Sequence, residues 1–223
     1  MDEKEYNARV RTKEIAAEFA QRGDVLGWFD ALYRESAGNP DAIPWADLLP
    51  NKYLTQWVDA TGLDGCGRSA LVVGCGLGDD AKYLADLGFK VTAFDISPTA
   101  IEWAKRLHAD TDITFEVRDL LQPNPDWRGL FDFVLEVYTI QPLPLGIREQ
   151  VIDAIAAFVA PKGELLIVTR GREDEQEPDE LPWPLSRRDL RRFGEHGLKE
   201  DSFVEMEGEE DEPGRFVVHY LRV

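Results

Sequence analysis

The residues of this chain best suited to hold a ligand are Gly74-Cys75-Gly76-Leu77-Gly78-Asp79-Asp80. The apolar run Ser69–Val73 leads into them, and "AKYLADL" carries on as a helical pattern. Glycines between a strand and a helix allow a tight turn and close approach of a ligand, and the helix offers its positive end. In a dinucleotide-binding turn a third glycine stands where this chain has Asp79, and a diphosphate rests beside it. A carboxylate there opposes the helix dipole and repels a diphosphate, whereas a cationic or zwitterionic group is attracted.

Two more carboxylates follow at strand ends. Asp95 closes the second apolar run, 21 residues after Gly74, where a carboxylate accepts hydrogen bonds from both ribose hydroxyls of a nucleoside. Asp119, after the third, is placed to accept from an adenine amino group, with Leu120 and Leu121 beside the ring. S-adenosylmethionine satisfies all three positions, since it carries an ammonium and a sulfonium and no phosphate. Ligands of open α/β sheets bind outside the carboxyl ends of the strands. Ile96, Ser97, Glu136 and Val137 are candidate cofactor contacts on that ground, with Gly74, Gly76 and Asp79. Cys75, between the glycines, is expected to pack behind the cofactor. Tyr138, just past the fourth strand, is the candidate general base, although a thiol acceptor would need none. Arg148 either binds an anionic substrate or pairs at the start of its own helix.

The elements that position these residues follow from periodicity. Strands are expected at 69–74, 89–95, 113–117, 131–137 and 164–169. Helices are expected at 79–87, 97–108 and 147–159, the second with Ser97 as N-cap and Pro98 in its first turn. Alternating strands and helices imply right-handed βαβ units and a parallel sheet with helices on both faces. An acidic loop over 171–185 and a short helix precede two last runs, 198–206 and 215–223. "EGEEDEPG" joins them as the turn of an antiparallel hairpin. Residues 3–36 read as helical, "NKYLTQWVDA" as a short amphipathic helix, and 37–50 as a Pro- and Gly-rich connection carrying Trp45.

"ALVVGCGLGDDAKYLADLGFKVTAFDIS", "FDFVLEV" and "FVAPKGELLIVT" together resemble the class I S-adenosylmethionine-dependent methyltransferases over residues 69–170. The resemblance implies a Rossmann-like α/β fold, with a mostly parallel seven-stranded sheet ending in an antiparallel hairpin and an N-terminal helical extension. "PW" at 44–45 and "LPLGIREQ" also resemble the thiopurine, thiol, halide and tellurite-resistance branch. That likeness implies an N-terminal segment (1–60) folded over a 61–223 catalytic domain. It also implies a closed pocket for a small, often soft nucleophile such as a thiol. Where that branch often has a carboxylate followed by Arg or Tyr, this chain has Glu136-Val137-Tyr138. Methyl transfer is an in-line displacement that needs positioning and a dry pocket more than a catalytic triad. Tyr33 and, in the second loop, Trp183 are candidate lid and substrate contacts, and Trp45 is a candidate lid and cofactor contact. For Trp45, covering a core edge is an equal alternative.

The net charge of −18 disfavours a nucleic-acid partner, and the cluster "SRRDLRRF" suits the solvated side of a short helix. Two cysteines and three scattered histidines make no metal or disulfide framework. The acidic N-terminus and short apolar runs make a cytoplasmic protein, with no membrane partner, the default. Two alternatives stand: a nicotinamide-dependent oxidoreductase, disfavoured by Asp79, and a catalytically silent S-adenosylmethionine-binding module acting through a partner.

Overall fold

The computed structural model describes residues 3–122, 124–178, 180–208 and 214–223. Five strands alternate with helices: β1 (Ser69–Val73), β2 (Lys90–Asp95), β3 (Thr114–Val117), β4 (Phe131–Val137) and β5 (Val159–Arg172). They pair in parallel, and the chain finishes with β6 (Leu185–Ser186), β7 (Leu198–Met206) and β8 (Arg215–Arg222). The sheet runs β3-β2-β1-β4-β5-β8-β7; β8 is antiparallel to both β5 and β7, and the two-residue β6 joins β5 off this path. This is the Rossmann-like, mostly parallel sheet with a terminal antiparallel hairpin that the sequence predicts. The connector expected as the hairpin turn lies, over 209–213, outside the described residues.

β1 is buried along four of its five residues, and its side chains alternate between two layers. Ala70 and Val72 meet Leu54 and Val58 of α3 (Lys52–Thr61), Ala81 and Leu84 of α4 (Asp79–Asp86), and Ile101 and Ala104 of α5 (Pro98–Leu107). Leu71 and Val73 meet Val151, Ile152 and Ile155 of α6 (Arg148–Phe158), with Leu190 and Phe193 of α7 (Arg187–Glu195) in the same layer. Full burial of one such aliphatic side chain contributes about 1.5–3 kcal/mol, so these two layers dominate the stability.

The helical start divides into α1 (Glu3–Gln21) and α2 (Trp28–Glu35), broken at Gly23 with φ of +76°. Ile15, Trp28, Leu32 and Tyr33 pack with Leu77, Ala100 and Trp103 in a third apolar cluster. Asp30 fixes α2 onto the sheet domain, because its Oδ1 accepts from Ser97 Oγ (2.7 Å) and Thr99 N (3.0 Å) at the start of α5. Ser97 Oγ accepts in turn from Ala100 N, so the predicted N-cap is present.

β5 is longer at both ends than periodicity suggests. Pro161-Lys162-Gly163, expected only to stop a helix, forms an irregularity within the strand, where Phe131 faces Val159 but Phe133 faces Glu164. Lys162 has φ of +65°, and a Cβ on Gly163 would lie 2.9 Å from Ala160 O. At its far end β5 continues past Thr169, with Arg170 still paired to Arg215 of β8 and Arg172 paired to Ser186 of β6. Three of the four arginines of α7 are paired: Arg187 with Glu200, Arg191 with Asp174, and Arg192 with Asp153 and Glu149.

Candidate active site

The direction of chain progression reverses between β1 and β4, and the carboxyl ends of the strands open there into a cavity of about 1500 Å³. Ligand pockets usually occupy about 300–1,000 Å³, so the space holds a nucleoside-sized cofactor and an acceptor together. From the N-terminal segment it is lined by Tyr6, Arg9 and Lys13 of α1, Phe29 and Tyr33 of α2, and 44–47 and 49–52 of the connection. On the far side it is lined by 170–172, 176–178, 180–182 and Pro184.

The β1–β2–β3 half is acidic. Gly74, Gly76 and Gly78 all have φ between +53° and +88°, in the left-handed region that a side chain makes costly. A Cβ on Gly76 would stand 3.0 Å from Tyr33 Oη, and one on Gly74 would stand 2.5 Å from Thr139. Side chains of this protein, Thr139 and Tyr33, come close where a side chain on Gly74 or Gly76 would stand. Asp95 is buried; its Oδ2 accepts from Gly76 N (3.0 Å) and its Oδ1 from Ser97 N (2.9 Å). Burial nevertheless raises its pKa, as it does for half-buried Asp79. Asp80 turns inward, where Oδ1 accepts from Asn51 N at 2.7 Å, and burial pushes it up to about 6. Desolvated carboxyls at one helix start are stabilised by a cation, and a diphosphate would add to their repulsion. Asp119 Oδ1 accepts from Leu121 N and Oδ2 from Gln122 Nε2, beside Leu120 and Ile96 in the wall.

The β4–β5–β8 half carries cations. Arg170 at the end of β5 and Arg215 at the start of antiparallel β8 are direct cross-strand partners, and both line the cavity with Tyr138. Tyr138 has φ of +57° and is held in that conformation from several sides. Its N donates to Val168 O (2.9 Å), and Thr139 Oγ1 donates to Val73 O (2.9 Å). Glu136 Oε1 accepts from Thr139 N (2.6 Å) and Ile140 N (2.9 Å). Arg215 Nε donates to the Tyr138 hydroxyl at 3.1 Å, and the Asn51 side chain hydrogen-bonds the same group.

Tyr33, Trp45, Gly74, Cys75, Gly76, Asp79, Asp95, Ile96, Asp119, Leu120, Val137 and Tyr138 all line this cavity. Tyr33 stands elsewhere than expected of a substrate contact: its hydroxyl accepts from Trp45 Nε1 (2.8 Å) beside Gly76, in the acidic half. Burial raises the Cys75 thiol well above its ordinary range, which suits packing and not attack.

Four candidates do not line the cavity. Ser97 caps α5 beneath it. Glu136 is fully buried and spends its carboxylate on the turn that follows β4, so it shapes the wall without touching a ligand. Arg148 is 4% exposed and bonds Asp189 Oδ2, Trp183 O and Pro184 O, which resolves its two alternatives in favour of a structural pair. Trp183 is held through its backbone between that arginine and Gln141 O, away from the cavity wall. Long-range pairing decided the cases of Arg148 and Trp183, and nothing local in the sequence signals it; Ser97 and Glu136 are spent on backbone groups three and four residues on. Asn51, Gln141, Arg170 and Arg215 are site residues that periodicity does not single out. Arg170 alone stood at an expected strand end.

A family profile described as "Methyltransferase domain" matches residues 70–163, which run from β1 with its glycine turn into β5. The chain carries a methyltransferase domain over residues 70–163 on the class I S-adenosylmethionine-dependent methyltransferase fold. The methyltransferase is 26% identical over 168 residues to 2-heptyl-1-hydroxyquinolin-4(1H)-one methyltransferase of Mycobacteroides abscessus, covering 73% of this chain and 72% of the relative. It is 33% identical over 126 residues to a probable chloroplastic tocopherol O-methyltransferase of Oryza sativa, covering 51% of this chain but 34% of that relative. A ubiquinone biosynthesis O-methyltransferase of Xanthomonas axonopodis is 31% identical, with 55% of this chain and 51% of the relative covered. The chain therefore spans about half or less of the latter two. Among solved structures, one described as conversion of a disulfide bond into a thioacetal group during echinomycin biosynthesis has a TM-score of 0.69 at 24% identity, covering 87% and 90% of the two chains. The N-methyltransferase NodS of Bradyrhizobium japonicum with S-adenosyl-L-homocysteine has a TM-score of 0.68 at 21% identity, covering 86% and 96%. Both show the fold.

The site of the methyltransferase fits S-adenosylmethionine. The desolvated carboxyls of Asp79 and Asp95, beside the glycine turn, match a cationic nucleoside conjugate. No helix of the described residues is long and apolar enough to cross a membrane, and no His/Cys/Asp/Glu group among them is arranged to hold a metal ion.

Proposed function

We propose that the methyltransferase modifies a small-molecule acceptor at a weakly acidic nucleophile, a hydroxyl or thiol, bound over the β4–β5–β8 half of the cavity. The observation that carries this reading is the division of one cavity into an acidic half suited to the cofactor and a basic half beside it. The three curated relatives, whose names specify a hydroxyquinolone, a tocopherol and a ubiquinone precursor pathway, support a small, ring-bearing acceptor. A thiol on a similar skeleton meets the same requirement, because it ionises nearer neutrality and a thiolate is a strong nucleophile.

When bound, S-adenosylmethionine supplies an electrophilic methyl on a sulfonium. Asp79 would hold its ammonium, Asp95 its ribose hydroxyls and Asp119 with Ile96 and Leu120 its adenine. Gly74 and Gly76 allow the close approach. Residues 1–60 serve in this reading as the cover: α1, α2 and the 44–52 connection exclude water, which would otherwise compete as nucleophile and screen the site. Held in line, the acceptor needs little further help, since positioning alone is worth about 7–11 kcal/mol in favourable cases. Tyr138 lies where it can hold the acceptor. Burial raises its phenol, so it serves at neutral pH as a protonated donor and not as a base.

Isothermal titration with S-adenosylhomocysteine tests the cofactor half. Saturable binding that Asp95→Ala weakens by tenfold or more is expected; an unbound wild type would reject the proposal. Methyl-donor consumption across hydroxyquinolones, phenols, aryl thiols, amines and carboxylic acids then identifies the acceptor. Turnover confined to amines would reject the weakly acidic nucleophile.

A further inference from the structure

We propose that His108 is a positioning residue for the cofactor: from behind the glycine turn it holds Leu77, and with it Asp79, where that carboxylate meets the ammonium of S-adenosylmethionine. This inference rests on the methyl-transfer reading above and adds to it a residue that does not line the cavity.

The start of α4 needs such a support. Its N-cap is Gly78, with φ of +88° and no side chain to cap the helix, so no cap bond fixes Asp79 from within. The next residue, Asp80, is tied to Asn51 N. Behind the turn stands α5. Its Ala100 and Trp103 pack with the Leu77 side chain, and His108 Nε2, at its end, reaches the Leu77 carbonyl at 3.0 Å. A carbonyl only accepts, so this nitrogen carries the proton and donates. The imidazole stacks on Phe115 of β3, with ring centroids 6.1 Å apart and planes inclined by 21°. A Cβ on Gly78 would stand 2.8 Å from the Phe115 ring and 3.1 Å from His108 Cδ2, so the stacked pair lies directly against the turn.

The contact does more than finish a helix. The backbone of His108 already ends α5: its N donates to Ala104 O (3.0 Å), and its O accepts from Thr111 N (3.1 Å) and Thr111 Oγ1 (2.7 Å). The side chain is not needed for that closure and is spent on the glycine turn. The imidazole also lies near enough to Asp79 to favour its charged form, against the burial that raises its pKa and the repulsion from Asp47. His108 thus acts on Asp79 twice, by fixing the backbone two residues before it and by stabilising the charge that a cationic ligand needs.

The test is isothermal titration of the purified protein with S-adenosylhomocysteine and with 5′-methylthioadenosine, which shares the nucleoside and thioether but lacks the ammonium and carboxylate. The wild type should bind S-adenosylhomocysteine more tightly, and Asp79→Asn should remove most of that preference. His108→Phe keeps a ring against Phe115 but loses the donor. It should weaken S-adenosylhomocysteine about three- to tenfold and leave 5′-methylthioadenosine within about twofold. His108→Gln, whose amide nitrogen stands near the place of Nε2, should recover most of that loss. His108→Asn, whose amide stops short of the Leu77 carbonyl, should not, and it carries the comparison if His108→Phe does not fold. In the Asp79→Asn background His108→Phe should change S-adenosylhomocysteine affinity by less than about twofold, as two residues acting through one contact require. In turnover, His108→Phe should raise KM for S-adenosylmethionine more than it lowers kcat. Equal losses for both ligands, no loss for either, or additive effects of the two substitutions overturn the inference. A preference that survives Asp79→Asn removes Asp79 as the ammonium's partner, and the inference with it. Failure of the wild type to bind S-adenosylhomocysteine would instead reject the methyl-transfer reading.

Discussion

At the scale of single residues, the site depends on carboxyl groups whose surroundings set their charge. Glu136 is the clearest case: Oε1 accepts two backbone N–H groups, while Oε2 is buried with no hydrogen-bond partner among the described residues. Burial raises its pKa from an ordinary value near 4.5 to about 7. The folded form thus holds its proton more tightly than the unfolded chain. The stability this contributes is complete below pH 4.5 and is lost as the pH rises through 7. Glu136→Gln keeps an oxygen for both N–H groups and cannot ionise. Thermal melts from pH 4 to 8 should show the variant gaining on the wild type across that window; a constant difference would refute the buried charge as cause.

Individual elements are tied together by a few polar joints. Asp30 caps α5 from α2, and such a cap contributes about 0.5–2 kcal/mol. Asp30→Ala should lower stability by that amount in denaturant titration. It should also raise KM for S-adenosylmethionine more than it lowers kcat, because the N-terminal cover lies partly over the cofactor half. At the opposite edge of the sheet, His219 of β8 bonds Glu164 of β5 (2.9 Å) and Asp201 of β7 (3.1 Å). Burial opposes its charge, but the two carboxylates outweigh it and raise its pKa above the ordinary 6.5. This contribution is fully present below pH 6.5 and is lost as the pH rises through the raised value. His219→Gln should therefore cost about 1.5–3 kcal/mol near pH 6 and progressively less in alkali, measured as the difference in unfolding free energy across pH.

Across the whole molecule, 43 acidic residues against 25 basic ones create a negative field. Such a field steers cationic ligands and weakens as salt shortens the screening length. S-adenosylmethionine carries a net positive charge, and S-adenosylhomocysteine, lacking the sulfonium, carries none. Stopped-flow association rates should consequently fall with ionic strength for the first and change little for the second. Parallel salt dependences would show that the field plays no part in capture.

Much of the cofactor half was legible in the chain because its signals are local. A strand, a glycine turn and a helix start lie within fifteen residues, and the periodicity of β1, α4 and β2 sets Asp79 at a helix start and Asp95 at a strand end before any packing is known. The acceptor half was legible only in part. Tyr138 stands at a predicted strand end, but Arg215 reaches the cavity because β8 runs antiparallel to β5, and register across the sheet decides which residue it faces. Between substrate contact and helix pairing the sequence left Arg148 open, and its guanidinium meets Asp189, 41 residues away. The sequence by itself determined the fold class and the carboxylate frame of the site, since those rest on interactions between near neighbours. The tertiary structure alone decided which cations line the cavity, because pairing between distant strands and loops has no local signature.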